Sequence, residues 1–285
     1  MPDAPALSSS ASLLPPLDDD PAGFAALIAK VEDERPFRCR SYKERCLRRR
    51  VAVRMRARGV HTFADYARVL DDDAAEYDRL LDALTINVTK FFRNCEAWST
   101  LAERAIPALL ADARRPVRVW SAGCASGEEA YSLAASFHAA GAARGGPAAG
   151  GLEVVGTDVD RRSLRSAAEG VYGDAAFGET PPEVRARYFT AGSPARVVPE
   201  LRAVTRFAHH DLLRDPAPAG PWDLIACRNV VIYFDRESQE ALFDRFHSVL
   251  APGGVLFLGK VETLLGRTRG AYVPVDHRQR IYRRA

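Results

Sequence analysis

The hydrophobic period of this chain changes after Arg115-Pro116, and that change constrains the fold more than any other feature. Short apolar runs at 117–120, 152–156, 204–208, 222–227 and 255–258 predict strands, and 128–140, 161–169 and 237–250 predict helices. Strands alternating with helices call for a mostly parallel sheet covered on both faces. Tyr272-Val273 and Arg280-Ile281-Tyr282 predict a closing antiparallel pair. Residues 139–151 are nearly all Ala and Gly and predict a flexible loop. Residues from about 177 to 206 interrupt the alternation and predict a small inserted antiparallel β-subdomain.

Upstream the pattern is different. Residues 1–20, rich in Ala, Pro and Ser, read as a loose tail, and 21–98 as an all-helical domain with its linker. Ser41 and Glu44 have the spacing of a capping box, and Gly59 stands where a helix would stop. Leu47, Val51 and Met55 make the apolar stripe of that helix, and further helices are predicted over 62–70 and 74–83. Residues 99–285 then form the Rossmann-like domain. With 47% hydrophobic and 27% charged residues, the 285-residue chain has ordinary globular usage, which excludes wholesale disorder.

The five cysteines are scattered, with no CxxC pair and no zinc-type spacing to a histidine. They read as reduced thiols of a cytoplasmic protein with no metal site. Residues 1–20 lack a basic start and an apolar core, so no signal peptide is expected, and no apolar run is long enough to span a bilayer.

The first strand runs into Ser121-Ala122-Gly123-Cys124-Ala125-Ser126-Gly127 and then a helix opening at Glu128. Small residues at a strand-to-helix turn let a ligand approach the backbone. The turn is not G-x-G-x-x-G, and Glu128-Glu129 stand where a pyrophosphate would sit. That favours a nucleoside ligand that is cationic or carries an amine, and S-adenosylmethionine is both. Asp158, at the tip of the second strand, suits ribose hydroxyls, and Asp211 suits an adenine amine. Arg228-Asn229 inside an apolar run is costly unless a cleft gives both side chains partners. Asn87-Val88-Thr89-Lys90-Phe91-Phe92-Arg93 lies at the domain junction, where it can line a cleft.

At these residues the sequence resembles the chemotaxis receptor methyltransferases of the CheR family. The matching stretches are NVTKFFR (87–93), RVWSAGCASGEEAYS (118–132), GTDVD (156–160), RYF (187–189), HDLL (210–213), WDLIACRNVVIYFD (222–235) and LAPGGVLFLGKVETLLG (250–266), with YKERCLRRR (42–50) upstream. The resemblance implies a class I methyltransferase domain that uses S-adenosylmethionine and releases S-adenosylhomocysteine. It further implies methylation of glutamate side chains on the cytoplasmic helical bundle of chemoreceptors. The implied cofactor residues are Asn87, Thr89, Arg93, Glu129, Asp158, Asp211, Leu212, Arg228 and Asn229, with Arg93 and Tyr233 beside the methyl donor. Ala130, Asp211 and Lys260-Val261 depart from the usual Pro, Asn and His-Ser.

The near-neutral total of +3 hides one basic segment. Residues 35–58 hold eleven basic residues against Glu44 alone, which calls for an acidic partner. Arg50, Arg54 and Arg56 are the expected docking residues. The segment lacks the aromatic interleaving of a base-stacking surface, so no nucleic-acid partner is expected. A nucleic-acid methyltransferase and a non-catalytic cofactor-binding module remain the competing classes. The short 190–199 loop, with one Gly, resembles members that work without a receptor tether. No heptad or large apolar stripe calls for more than a monomer.

Overall fold

The computed structural model describes residues 20–35, 37–85, 89–111, 115–145 and 151–285. The expected tail (apart from Asp20), Asn87 and residues 146–150 of the Ala- and Gly-rich segment lie outside the described residues, and residues 139–143 of that segment, expected as loop, are helical. The chain forms two compact units. One takes the described residues up to Arg40 together with Glu44–Leu84, and the other takes Ser41–Lys43 and Thr85–Ala285.

Among the described residues the first unit holds four α-helices: α1 (Pro21–Glu34), α2 (Glu44–Ala57), α3 (Phe63–Asp72) and α4 (Ala74–Leu84). Leu27, Val31, Val51, Met55, Tyr66 and Leu80 are among the side chains that fill its core. The basic helix α2 ends as its sequence predicts. Gly59 is left-handed at φ 66°, and the N–H groups of Gly59 and Val60 donate to the carbonyls of Arg56 and Met55, closing a Schellman motif. Its start differs from expectation. Ser41 sits in a 3-10 turn, the helix opens at Glu44, and Glu44 accepts from Arg48 Nε at 2.6 Å, so the capping box does not form.

Inside this unit Glu76 has no exposed surface. Arg54 holds it with two hydrogen bonds of 2.9 and 2.6 Å, and the Tyr66 hydroxyl donates a third of 2.9 Å. These partners keep the Glu76 carboxyl below its ordinary range although burial pushes it up. Arg54 is thus committed to the core pair. Arg45, Arg49 and Arg56, with Val53 between them, form the exposed face of α2, and Arg50 is half-buried.

The second unit opens with α5 (Cys95–Arg104) and α6 (Ile106–Ala111), neither of which the sequence reading distinguished. The alternation follows: β1 (Val117–Ala122), α7 (Glu128–Ala143), β2 (Leu152–Asp158), α8 (Arg161–Glu169), β3 (Val171–Tyr172), α9 (Pro182–Tyr188), β4 (Ala195–Arg196), α10 (Pro199–Val204), β5 (Thr205–His209), β6 (Trp222–Cys227), α11 (Arg236–Val249), β7 (Leu250–Leu258), β8 (Tyr272–Asp276) and β9 (Ile281–Arg284). Seven strands make one sheet in the order β5-β2-β1-β6-β7-β9-β8, parallel up to β7 and closed by the antiparallel β9 and β8. β7 starts at Leu250, ahead of the expected strand at 255–258, and takes in the Ala251-Pro252-Gly253-Gly254 stretch.

One face of the sheet buries Val119, Val154, Leu224 and Phe257 under α5 to α7. The other buries Trp120, Trp222 and Ile225 against Phe243 and Phe246 of α11. Strands covered on both faces read as continuous apolar runs, which is why their positions were legible although β1, β2 and β7 are longer than expected. The two-stranded sheet pairs β3 with β4, so it draws its first strand from ahead of Phe177. The chain order reverses between β1 and β6, the point at which such sheets open a crevice at their carboxyl ends.

Candidate functional site

Three loops meet at that crevice. The first joins β1 to α7. The N–H groups of Gly123 and Cys124 donate to the Thr157 carbonyl at 2.8 and 2.9 Å, tying the turn to the end of β2. Gly127 is left-handed at φ 96°, and a Cβ there would stand 2.8 Å from that of Ala167, so both backbone and space require glycine. Asp158 accepts from the N–H groups of Ala125 at 2.8 Å and Asp160 at 2.9 Å. Burial pushes its carboxyl up, partly offset by those bonds.

Glu129 projects from the first turn of α7. Burial pushes its carboxyl up to about 7, although the Arg228 guanidinium and the Ser121 hydroxyl pull it down. Ser121 Oγ donates to it at 2.8 Å, and Arg228 Nη1 lies 4.0 Å away.

The second loop follows β6. Arg228 is 6% exposed, with its guanidinium 4.5 Å from the ring centre of Phe257 and 5.2 Å from that of Trp98. Its Nη2 donates to the Arg93 carbonyl at 2.8 Å, while Nε is buried with no protein partner. Asn229 follows in the left-handed region at φ 61°, and a 3-10 turn over Val231–Tyr233 carries the chain away. Glu262 lies beneath this loop and accepts from its backbone N–H groups.

The third loop is the 89–94 segment. Phe91 is its anchor, fully buried against Tyr172, Phe177 and Phe189 with ring centres 4.7 to 5.0 Å away. The Arg93 carbonyl also accepts from Trp98 Nε1 at 3.0 Å. Arg93 is thereby fixed at the backbone on the rim of the crevice.

A cavity opens where the loops converge, lined by Thr89, Arg93, Gly123, Ala125, Glu129 and Asn229 among others, with Arg228 in its wall. The expected residues Thr89, Arg93, Glu129, Arg228 and Asn229 are therefore together, and Asp158 stands directly behind Ala125. Asp211, Leu212 and Tyr233 do not line this cavity. Asp211 Oδ1 accepts from the Leu213 N–H at 2.8 Å, Leu212 packs with Trp120 and Cys227, and Tyr233 is half-buried on the 3-10 turn. Among the described residues no group of His, Cys, Asp and Glu has the arrangement of a metal site.

The sequence reading missed Glu262 and Glu179, whose carboxylates hold the loops from behind. A lone Glu after an apolar strand carries no local signal of that role.

Residues 87–278 match the family model of the CheR methyltransferase SAM binding domain, and residues 22–85 that of the CheR methyltransferase all-alpha domain. A chemotaxis protein methyltransferase of Listeria innocua is 37% identical over 225 residues, covering 79% of this chain and 83% of that protein. One from Klebsiella aerogenes is 34% identical over 278 residues, covering 94% and 91%. One from Escherichia coli is 34% identical over 223 residues, covering 75% and 74%. The cavity suits the cofactor of that family. Buried carboxylates at Glu129 and Asp158 complement a cationic amine and ribose hydroxyls, and the buried, unpartnered Arg228 Nε offers a donor in the cavity wall. From its helical unit to its last strands, the chain belongs to the CheR methyltransferase family and uses S-adenosylmethionine.

Proposed function

We propose that this protein transfers the methyl group of S-adenosylmethionine to glutamate side chains on the cytoplasmic helices of chemoreceptors, leaving methyl esters and S-adenosylhomocysteine. The observation that carries this reading is the cavity at the carboxyl ends of β1 and β6, where buried carboxylates, Arg93 and the Arg228-Asn229 turn converge. The relatives named chemotaxis protein methyltransferases support the choice of substrate.

Bound in this cavity, S-adenosylmethionine would supply a methyl group activated by its sulfonium charge. Thr89, Arg93, Glu129, Asp158, Arg228 and Asn229 would hold it there; the family resemblance adds Asp211 and Leu212, which do not line the cavity, and Asn87, which lies outside the described residues. A glutamate acceptor is already ionised at neutral pH, its ordinary pKa being about 4.3, so the chain has no proton to remove. Its task is alignment and the exclusion of water from the carboxylate, and alignment alone is worth up to ~7–11 kcal/mol in favourable systems. Arg93 orients the incoming carboxylate and Tyr233 donates to it. The buried Cys227 thiol is pushed well above its ordinary pKa by desolvation, so it does not favour a thiolate mechanism on a nucleic-acid base.

Docking falls to the exposed face of α2. Arg45, Arg49 and Arg56 present cations around the half-exposed Val53, which suits an acidic helix bundle with apolar gaps. The protein acts as a cytoplasmic monomer.

The test is incubation with methyl-labelled cofactor and receptor cytoplasmic fragments, reading base-labile label on the fragment. Arg93→Ala and Tyr233→Phe each lower kcat by about tenfold or more, the loss expected for one charge-assisted contact to the acceptor. Wild-type turnover in both variants refutes the two roles, and the absence of base-labile label refutes the substrate.

A further inference from the structure

Five non-glycine residues among those described have a left-handed backbone: Phe92 (φ 53°), Asn94 (φ 61°), Ala125 (φ 47°), Asn229 (φ 61°) and Arg280 (φ 57°). The first four belong to the three loops that build the cavity. Such a backbone costs a non-glycine residue on the order of 1–3 kcal/mol and persists only where its surroundings over-determine it. At all four a side-chain oxygen takes the backbone N–H. Ser132 Oγ accepts from Phe92 at 3.1 Å, Glu179 Oε2 from Asn94 at 2.6 Å, Asp158 Oδ2 from Ala125 at 2.8 Å and Glu262 Oε2 from Asn229 at 2.9 Å.

Glu262 goes furthest. It is 2% exposed and accepts four backbone N–H groups, two on each oxygen: Gly259 at 2.5 Å and Asn229 at 2.9 Å on Oε2, Val230 and Val231 at 2.9 Å on Oε1. Only an ionised carboxylate can accept on both atoms in this way; a glutamine amide would turn an N–H₂ group toward two donors. The clamp reaches the first loop too, because the Val230 side chain lies where a Cβ on Gly123 would stand, at 2.6 Å. Glu179 does the same for the third loop, holding the residue that follows Arg93.

We propose that Glu262 and Glu179, which do not line the cavity, are positioning residues: Glu262 holds Asn229 left-handed and so presents Arg228 and Asn229 to the cofactor, and Glu179 holds Asn94 left-handed and so sets Arg93. This rests on the cavity being the cofactor and methyl-transfer site. Each carboxylate acts through backbone N–H groups, so its removal shifts the loop without deleting any lining side chain.

The experiment uses the full chain with Glu262→Gln and with Glu179→Ala, which leaves no acceptor for the Asn94 N–H, working well below each variant's unfolding midpoint. S-adenosylhomocysteine affinity is read by calorimetry, and kcat and KM with receptor fragments. Glu262→Gln is expected to weaken S-adenosylhomocysteine binding about tenfold, and Glu179→Ala to lower kcat by a similar factor with a smaller change in cofactor affinity. A purely structural role would lower the unfolding midpoint and leave both readouts of the folded enzyme at wild-type values, which overturns the proposal. Should Glu262→Gln fail to fold, the half-buried Glu179 decides the matter alone. Arg93→Ala and Glu129→Gln are the reference variants. If they too bind S-adenosylhomocysteine as the wild type does, the cavity is not the cofactor site and the proposal falls with it; if they lose affinity while the two clamp variants do not, only the proposal falls.

Discussion

Glu129 is the residue whose ionisation state the structure most alters. Its carboxyl stands at about 7 in the folded protein, against an ordinary value of 4.5, because it is desolvated and only partly compensated by Arg228 and Ser121. Between those values the folded chain binds a proton that the unfolded chain has released. The stabilisation is therefore complete below about pH 4.5 and is lost as pH rises through 7, a difference on the order of 3 kcal/mol. Glu129→Gln removes this dependence. Urea denaturation at pH 5 and pH 8 is expected to show the cofactor-free variant gaining on the wild type at the higher pH, and parallel pH profiles contradict it. Legibility also divides at this scale. Arg228-Asn229 stood out because a polar pair in an apolar run needs a reason. Glu262 and Glu179 did not, because the cavity-loop N–H groups they hold lie 31 to 33 and 85 residues away along the chain, and the one near neighbour, Gly259, carries no sign of them.

At the scale of the element, α2 shows how propensity and packing divide the work. Its stop at Gly59 and its stripe of Leu47, Val51 and Met55 follow from local rules, and both form. The Ser41–Glu44 capping box is an equally local rule and does not, because the chain before the helix is taken into a 3-10 turn. Which arginines are free to dock could not be read from spacing, since Arg54 is consumed by Glu76 on a neighbouring helix. Breaking such a buried pair costs about 3–5 kcal/mol. Arg54→Glu is thus expected to lower the unfolding midpoint sharply, whereas Arg49→Glu, on the exposed face, changes stability by roughly 0.5 kcal/mol or less and weakens binding to receptor fragments. Equal melting temperatures for the two variants would show that the Arg54–Glu76 pair is not structural. Likewise the pairing of β3 with β4 was hidden, because two-residue strands carry no period.

Across the whole molecule, charge and chemistry are separated along the sequence. The basic segment lies almost entirely in the helical unit, whereas the carboxylates of the cavity belong to the sheet unit. Ionic strength therefore acts on them unequally. Raising salt from 50 to 300 mM is expected to weaken receptor-fragment binding several-fold by screening the exposed arginines, with little change in S-adenosylhomocysteine affinity, because buried pairs are poorly screened. Equal sensitivity of the two would mean that the cofactor site is itself open to bulk solvent.

The alternation of apolar runs with helical patterns was enough to determine the parallel order of secondary structure and the Gly-rich turn, because strands buried on both faces and a glycine-dependent turn are written in consecutive residues. The helical character of the first unit followed from the same kind of local evidence, whereas the full set of candidate cofactor residues came from the resemblance of their motifs to a known family. Tertiary structure alone decided the rest: which arginines stay exposed, where the inserted strands find partners, and how the strained cavity loops are held. Each of these depends on groups distant in the chain satisfying one another's hydrogen bonds or charge, and a buried carboxylate records nothing of its partners in its own neighbourhood.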